Sequence, residues 1–273
     1  MASIPRAVVG RLRLANLSAS LKRLGLVAAA TVAGAALWAF SAGEPVAAGM
    51  PRCSFAIEPT ILQEEGDAHQ ADGRLLQYWD VAQPEVLWSH YAEPTRPYRR
   101  YLSQVRQIGF RTDPIAALHA SPSINNSLVL EARADWIRSA NCLEKLLMGL
   151  QNERISIRKD PTEFVSIVLS RSDTEQVRVY FYSVNRNGIG AMTPLTRIVD
   201  ADLLDGWQIR FVLHNHAFHK SNAALNGILA PSVPDADFNN NFSKSHRLPE
   251  ARITNGIDTV VIPAAAFHRF QLE

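Results

Sequence analysis

The chain has 273 residues, 47% hydrophobic and 20% charged, with a formal net charge of +2; this is the composition of a globular protein with one sizeable core and an accessory region, and it excludes intrinsic disorder. The charge is uneven: residues 1–48 carry Arg6, Arg11, Arg13, Lys22 and Arg23 against Glu44 alone, which leaves the remainder net negative by two. With no basic cluster beyond short pairs such as Arg99-Arg100, that remainder lacks the electrostatic footprint of a nucleic-acid binder.

The basic stretch ending at Arg23 runs into an uncharged segment, Leu24 to Gly43, and then the small residues Val46-Ala47-Ala48. This is the layout of a signal peptide cleaved near residue 48, and about 20 uncharged residues also suffice for a membrane anchor. In both cases the positive flank stays in the cytoplasm and the rest is exported, as a periplasmic, secreted or anchored protein that meets a membrane only through an uncleaved N-terminal segment. The chain has two cysteines, Cys53 and Cys142. An oxidising compartment allows one disulfide between them, and two buried free thiols are the alternative.

Residues 49–127 read as a partly helical accessory segment, punctuated by Pro51, Pro59, Pro84, Pro94, Pro97, Pro114 and Pro122 and rich in aromatics. The polar stretch Ser121 to Ser127 is the boundary candidate. From 128 to 151 the apolar spacing predicts a long amphipathic helix. Phe164 to Leu169 and Val177 to Val184 are β-branched and aromatic around a polar turn, so they predict a hairpin. Trp207 to Leu213 predicts a further strand, and Thr259 to Ile262 a short terminal one. Helix followed by strands makes residues 128–273 an α/β domain.

The strand at Trp207 leads directly into His214-Asn215-His216. Side chains at i and i+2 on a strand share a face, so His214 and His216 aim two imidazoles at one spot while Asn215 points away. Downstream, Ser232-Val233-Pro234-Asp235 is close to a capping box, in which a serine oxygen takes a first-turn N–H and an acid complements the helix dipole. An aspartate fixed in that first turn is pre-oriented, as a metal ligand must be. With two imidazoles it leaves tetrahedral zinc one open position.

Upstream Glu, His-x-His, spacer and Ser-x-x-Asp, in this order, resemble the motif of the JAB/MPN (JAMM) zinc metalloproteases, with Glu163 in Thr162-Glu163-Phe164-Val165 as the upstream acid. The resemblance covers residues 128–273. It implies a cytidine-deaminase-like β-sheet flanked by helices, a Zn2+ ion on His214, His216 and Asp235, Glu163 as general base and acid, Ser232 as a donor to the oxyanion, and a peptide or protein substrate. Ala217 stands where the family usually has Pro, and the spacer has fifteen residues, Ala217 to Pro231, so an inserted loop over the site is expected. That loop contains His219, expected to be exposed or substrate-facing. The resemblance implies an exported amide-bond hydrolase. The alternatives are a catalytically silent exported binding domain on the same scaffold, or a closed structural zinc site completed by His219.

Overall fold

Two strands with almost no exposed residue organise the protein: β4 (Phe164–Ser170) and β5 (Val177–Val184). Such strands, apolar on both faces, must lie in the middle of a sheet covered on both sides. They form the expected antiparallel hairpin. The computed structural model describes residues 50–55, 58–65, 73–109, 113–186, 188, 190, 192–218 and 226–270. The expected export segment, residues 1–48, and His219 lie outside the described residues. Among those described, no helix is long and apolar enough to cross a membrane.

Six further strands complete one eight-stranded sheet: β1 (Thr60–Glu65), β2 (Arg74–Val81), β3 (Ile137–Ser139), β6 (Gln208–Asn215), β7 (Glu250–Thr254) and β8 (Asp258–Pro263). Their order is β1-β2-β5-β4-β6-β7-β8-β3. Every pairing is antiparallel except β6 with β7, which is parallel. A parallel neighbour needs a crossover, and here it carries helix α7 (Val233–His246).

Helices cover both faces. On one face lie α1 (Arg96–Ile108) and α5 (Cys142–Arg154), whose Tyr101, Val105, Leu143 and Leu147 pack with Phe164, Phe181 and Phe211 of the sheet. On the other lie α2 (Pro114–Ala120), α3 (Ile124–Glu131), α6 (Thr193–Leu204) and α7, packed on Val165, Ile167, Tyr182 and Val212. The fold is therefore mixed α/β, a mostly antiparallel sheet between helical layers.

Local chemistry explains the helix boundaries. Thr95 caps α1, and Gly109 ends it in the left-handed conformation. Asn141 and Glu144 form a reciprocal capping box that starts α5 at Cys142. A Cβ on Gly149 would come within 2.9–3.0 Å of Tyr98 N and Pro97 Cβ, so glycine lets α1 and α5 approach closely.

That cap corrects one expectation. The helix expected over 128–151 is divided into α3, a short turn α4 (Arg133–Trp136), strand β3 and α5. The apolar spacing continues from α3 to α5 because both bury apolar residues against the sheet, Val129 on one face and Leu143 and Leu147 on the other. Ile137 pairs with Val260 of β8, however, and Asn141 begins a new helix. The segment expected as an accessory over 49–127 does contain helices, but it also contributes β1 and β2 to the sheet, and the described residues fall in one compact unit, Ala47–Glu273.

Cys53 and Cys142 form a buried disulfide across 89 positions, tying the segment before β1 to the first turn of α5. Two residues after Cys142, Glu144 is fully buried and takes both Arg138 guanidinium nitrogens, at 2.8 and 2.5 Å, together with the Asn141 backbone N–H at 2.7 Å. Replacing both cysteines with alanine is expected to lower the unfolding free energy by about 4–5 kcal/mol, the loop-closure contribution for so long a loop. Urea unfolding of parent and double variant measures it, and reductant should shift only the parent.

Candidate metal centre

The register of β4 on β6 builds the site. Val165 lies opposite His214 and Ser166 opposite Leu213. Continuing that antiparallel register sets Phe164 against Asn215 and Glu163 beside His216, with Glu163, Val165, His214 and His216 on one face. Glu163 is the residue immediately before β4. Its backbone still follows the hairpin, since Glu163 O accepts from Val184 N and Glu163 N donates to Arg186 O.

Asn215 was expected to point away from the metal ligands, and it does; what it meets there was not legible. Its side chain, 1% exposed, accepts from Phe164 N at 2.7 Å and donates to Thr162 O at 3.0 Å. The two bonds grip the chain on both sides of Glu163. Thr162 Oγ1 in turn accepts from Gln151 of α5 at 2.8 Å, so the grip is braced against the opposite layer.

The third candidate ligand arrives from α7. Ser232 and Asp235 form the capping box foreseen at its start: Ser232 Oγ accepts from Asp235 N at 3.3 Å, while Asp235 Oδ2 accepts from Ser232 N at 2.8 Å and from Ser232 Oγ at 2.6 Å. Pro234 in the first turn suits a position whose N–H has no helical partner. Asp235 thereby faces the histidines. His214 Nε2 and His216 Nε2 are 3.2 Å apart, Asp235 Oδ1 is 3.4 Å from the first and Asp235 Oδ2 is 3.2 Å from the second. In tetrahedral zinc with bonds of about 2.0–2.1 Å, ligand atoms stand about 3.3–3.4 Å from one another. Among the described residues this is the group of three or more His, Cys, Asp or Glu side chains that could hold a metal ion. Its chemistry, two borderline-soft nitrogens and one carboxylate oxygen, fits zinc.

The long spacer takes part as well. Phe218 bridges Asn226 at its base, and Gly227 N donates to Ala217 O at 3.2 Å. Gly227 has φ +70°, and a Cβ there would meet the Phe218 ring at 2.5 Å. This return sets Ile228 O 2.6 Å from His216 Nδ1. A carbonyl only accepts, so Nδ1 carries the proton and Nε2 is the nitrogen turned toward the cluster.

Glu163, His214, His216, Ser232 and Asp235 line one cavity of about 470 Å³, whose other walls include Val165, Met192, Ile228 and Phe238. Among the described residues, the five that carry the motif, Glu163, His214, His216, Ser232 and Asp235, are therefore in a single cavity. Gly188, after β5, was not foreseen; its N–H donates to Glu163 Oε2 at 3.0 Å. No short motif announces it.

Electrostatics couple these groups. Burial raises the Glu163 carboxyl, His216 and His214 pull it down, Asp235 pushes it up and the Gly188 bond lowers it; the net direction is up. Burial also opposes charge on His216, yet the Asp235 hydrogen bond and charge, with Glu163 and the Ile228 carbonyl, raise it to about 9. Asp235 is likewise penalised by burial, and the two histidines hold it well below the ordinary carboxylate range.

No family model matches this chain, and neither a curated protein nor a solved structure does.

Two outcomes are expected. Asn215→Ala should cost about 2–4 kcal/mol in urea unfolding, because two buried backbone groups lose their partners. The second concerns pH. With chelator present, His216 contributes its stabilisation fully below its unfolded value of 6.5 and loses it as pH rises through about 9, a loss of roughly 3 kcal/mol. Glu163, also raised, acts in the same direction, whereas the Asp235 contribution is lost only as pH falls below its unfolded value of 3.8. Zinc requires neutral imidazoles, so with zinc bound this loss should be absent: stability rises only up to about the unfolded value of 6.5 and stays level from there to 9. Unfolding curves across that window with chelator and with zinc read both slopes.

Proposed function

We propose that this chain is a zinc-dependent amide-bond hydrolase of the metallopeptidase or isopeptidase type, built on a JAMM-like scaffold and acting outside the cytoplasm on a peptide or protein. The observation that carries the reading is the triangle of His214, His216 and Asp235 with a half-buried carboxylate, Glu163, in the same cavity wall. Export is supported by the Cys53–Cys142 disulfide together with the N-terminal charge pattern.

Zinc would be held by His214, His216 and Asp235, and when bound would supply polarisation of a carbonyl oxygen and of a water whose pKa falls to about 7. The chain supplies the rest. Glu163 takes the proton of the attacking water and later gives it to the leaving nitrogen. Oε1 is the oxygen for this task, since Gly188 occupies Oε2, and a carboxyl raised by burial is the stronger base. Asp235 is held in its ionised, ligating form. Ser232 can turn its hydroxyl from Asp235 Oδ2 to a developing oxyanion while its backbone N–H keeps that oxygen in place. A single donor of this kind contributes about 2.7–4 kcal/mol to the transition state.

Elemental analysis of the full chain supplied with zinc is expected to give one equivalent in the parent and in Glu163→Gln, and almost none in His216→Ala or Asp235→Ala. Cleavage of a mixed peptide panel by the parent should fall by about 10²–10⁴-fold in Glu163→Gln. A parent that takes up no zinc defeats the hydrolase reading and favours an exported binding domain. Zinc uptake with cleavage unaffected by Glu163→Gln removes the role given to that residue.

A further inference from the structure

The cavity at the metal centre has an apolar half. Val165 of β4, Met192 before α6, Ile228 of the return loop and Phe238 of α7 all line the same space of about 470 Å³ as the motif residues. Val165 is buried, whereas Met192, Ile228 and Phe238 are half-buried, packed on the core with part of each left open. One half-exposed hydrophobic residue needs no explanation, but three converging on a cavity beside polar groups are the lining of a ligand site. The wall is preformed: the Phe238 ring stacks on Phe242 of its own helix, 5.2 Å between centroids.

Charge in this cavity is confined to the motif. Among the described residues that line it, Glu163 and Asp235 are the acids, and there is no lysine or arginine. Arg186 packs against Gly190, where a Cβ would collide with its Nη2, but Arg186 does not itself line the cavity. A charged side chain entering here would give up its hydration and meet no counter-charge outside the metal-ligating set. An apolar one would take water off apolar walls.

The elements that carry these walls divide the cavity. Phe238 stands three residues after Asp235 and shares its face of α7, the helix that Ser232 begins. Ile228 belongs to the return loop whose carbonyl meets His216. Both lie on the side where Ser232 would meet the carbonyl oxygen. Gly188, bonded to Glu163, lies on the side of the leaving nitrogen.

Resting on the zinc-hydrolase reading, we propose that Ile228 and Phe238, over Val165, form the specificity pocket for the substrate residue that carries the scissile carbonyl. That residue has a large, uncharged, apolar side chain of the leucine or phenylalanine kind. Ile228 and Phe238 act by selecting this side chain and touch no reacting atom.

Binding, rather than turnover, tests the pocket. Isothermal titration calorimetry of the zinc-loaded full chain with the N-acetyl hydroxamates of leucine, alanine, glutamate and lysine sets four side chains beside one zinc-binding group. Leucine is expected to bind at least tenfold tighter than alanine, with glutamate and lysine no tighter than alanine. Phe238→Ala should bring leucine within about threefold of alanine and leave alanine itself within about threefold of its parent value. Phe238→Lys should make glutamate the tightest of the four, by supplying the missing counter-charge. Ile228→Lys makes the same test from the other wall should Phe238→Lys fail to fold. Equal affinities in the parent, a charged side chain bound tightest there, or a leucine preference untouched by these substitutions overturns the pocket and leaves the hydrolase reading standing. A chain that takes up no zinc, or holds it and binds none of the four, defeats the reading and the pocket together.

Discussion

The site depends on the fixed register between β4 and β6. A side-chain period of two means that a slip of one residue would turn Glu163 to the opposite face from His214 and His216. Ladder bonds specify the register along the strands, but they end at Val165 and His214, before Glu163 is reached. Asn215 extends the pairing beyond that point with a side chain in place of backbone, bonding Phe164 N and Thr162 O at once. The residue between the two metal-facing histidines thus fixes the acid across from them. His214, His216 and Glu163 are thus positioned together at one strand end.

The same economy appears at α7. A helix start must satisfy its first backbone N–H groups, and Ser232 and Asp235 do so reciprocally. Because the box consumes only Oδ2 of Asp235, Oδ1 still faces His214. The cap and the candidate ligand are therefore one arrangement. The crossover from β6 to its parallel neighbour β7 explains why such a helix starts here: the chain leaving β6 must pass over the sheet to return, and open α/β sheets form their crevices at strand ends of this kind.

Much of this was legible in the residues. The hairpin, the strand into His214 and the cap at Ser232 follow from β-branched runs and local polar chemistry, which act over a few positions. What was not legible depends on distant partners. Ile137 to Ser139 is a strand only because β8 lies beside it, and the apolar spacing across 128–151 reads equally well as one helix. β2, in a segment read as accessory, owes its place to pairing with β5 through Arg74 to Val81. Arg178 holds that pairing, gripping Asp80 at 2.6 and 2.7 Å and Asp202 of α6 at 2.8 Å. Gly188 and Asn215 were missed as site residues because a backbone N–H and a structural amide carry no motif.

The spacer also has a physical account once its return is considered. A short link between His216 and Ser232 would suffice to deliver Asp235, but it would leave His216 Nδ1 to water. Here the chain turns at Gly227, where the left-handed backbone and the Phe218 ring exclude a side chain, and presents the Ile228 carbonyl to that nitrogen. The bond directs Nε2 inward and raises the basicity of the imidazole, as second-layer partners of metal-bound histidines do. In the metal-free chain the same bond favours a charged His216 paired with Asp235, so the cluster stays assembled by its own ion pair. A cation bound there, as proposed, would replace a proton rather than order a loose loop, and the cost of binding would fall on proton release, which declines as pH rises.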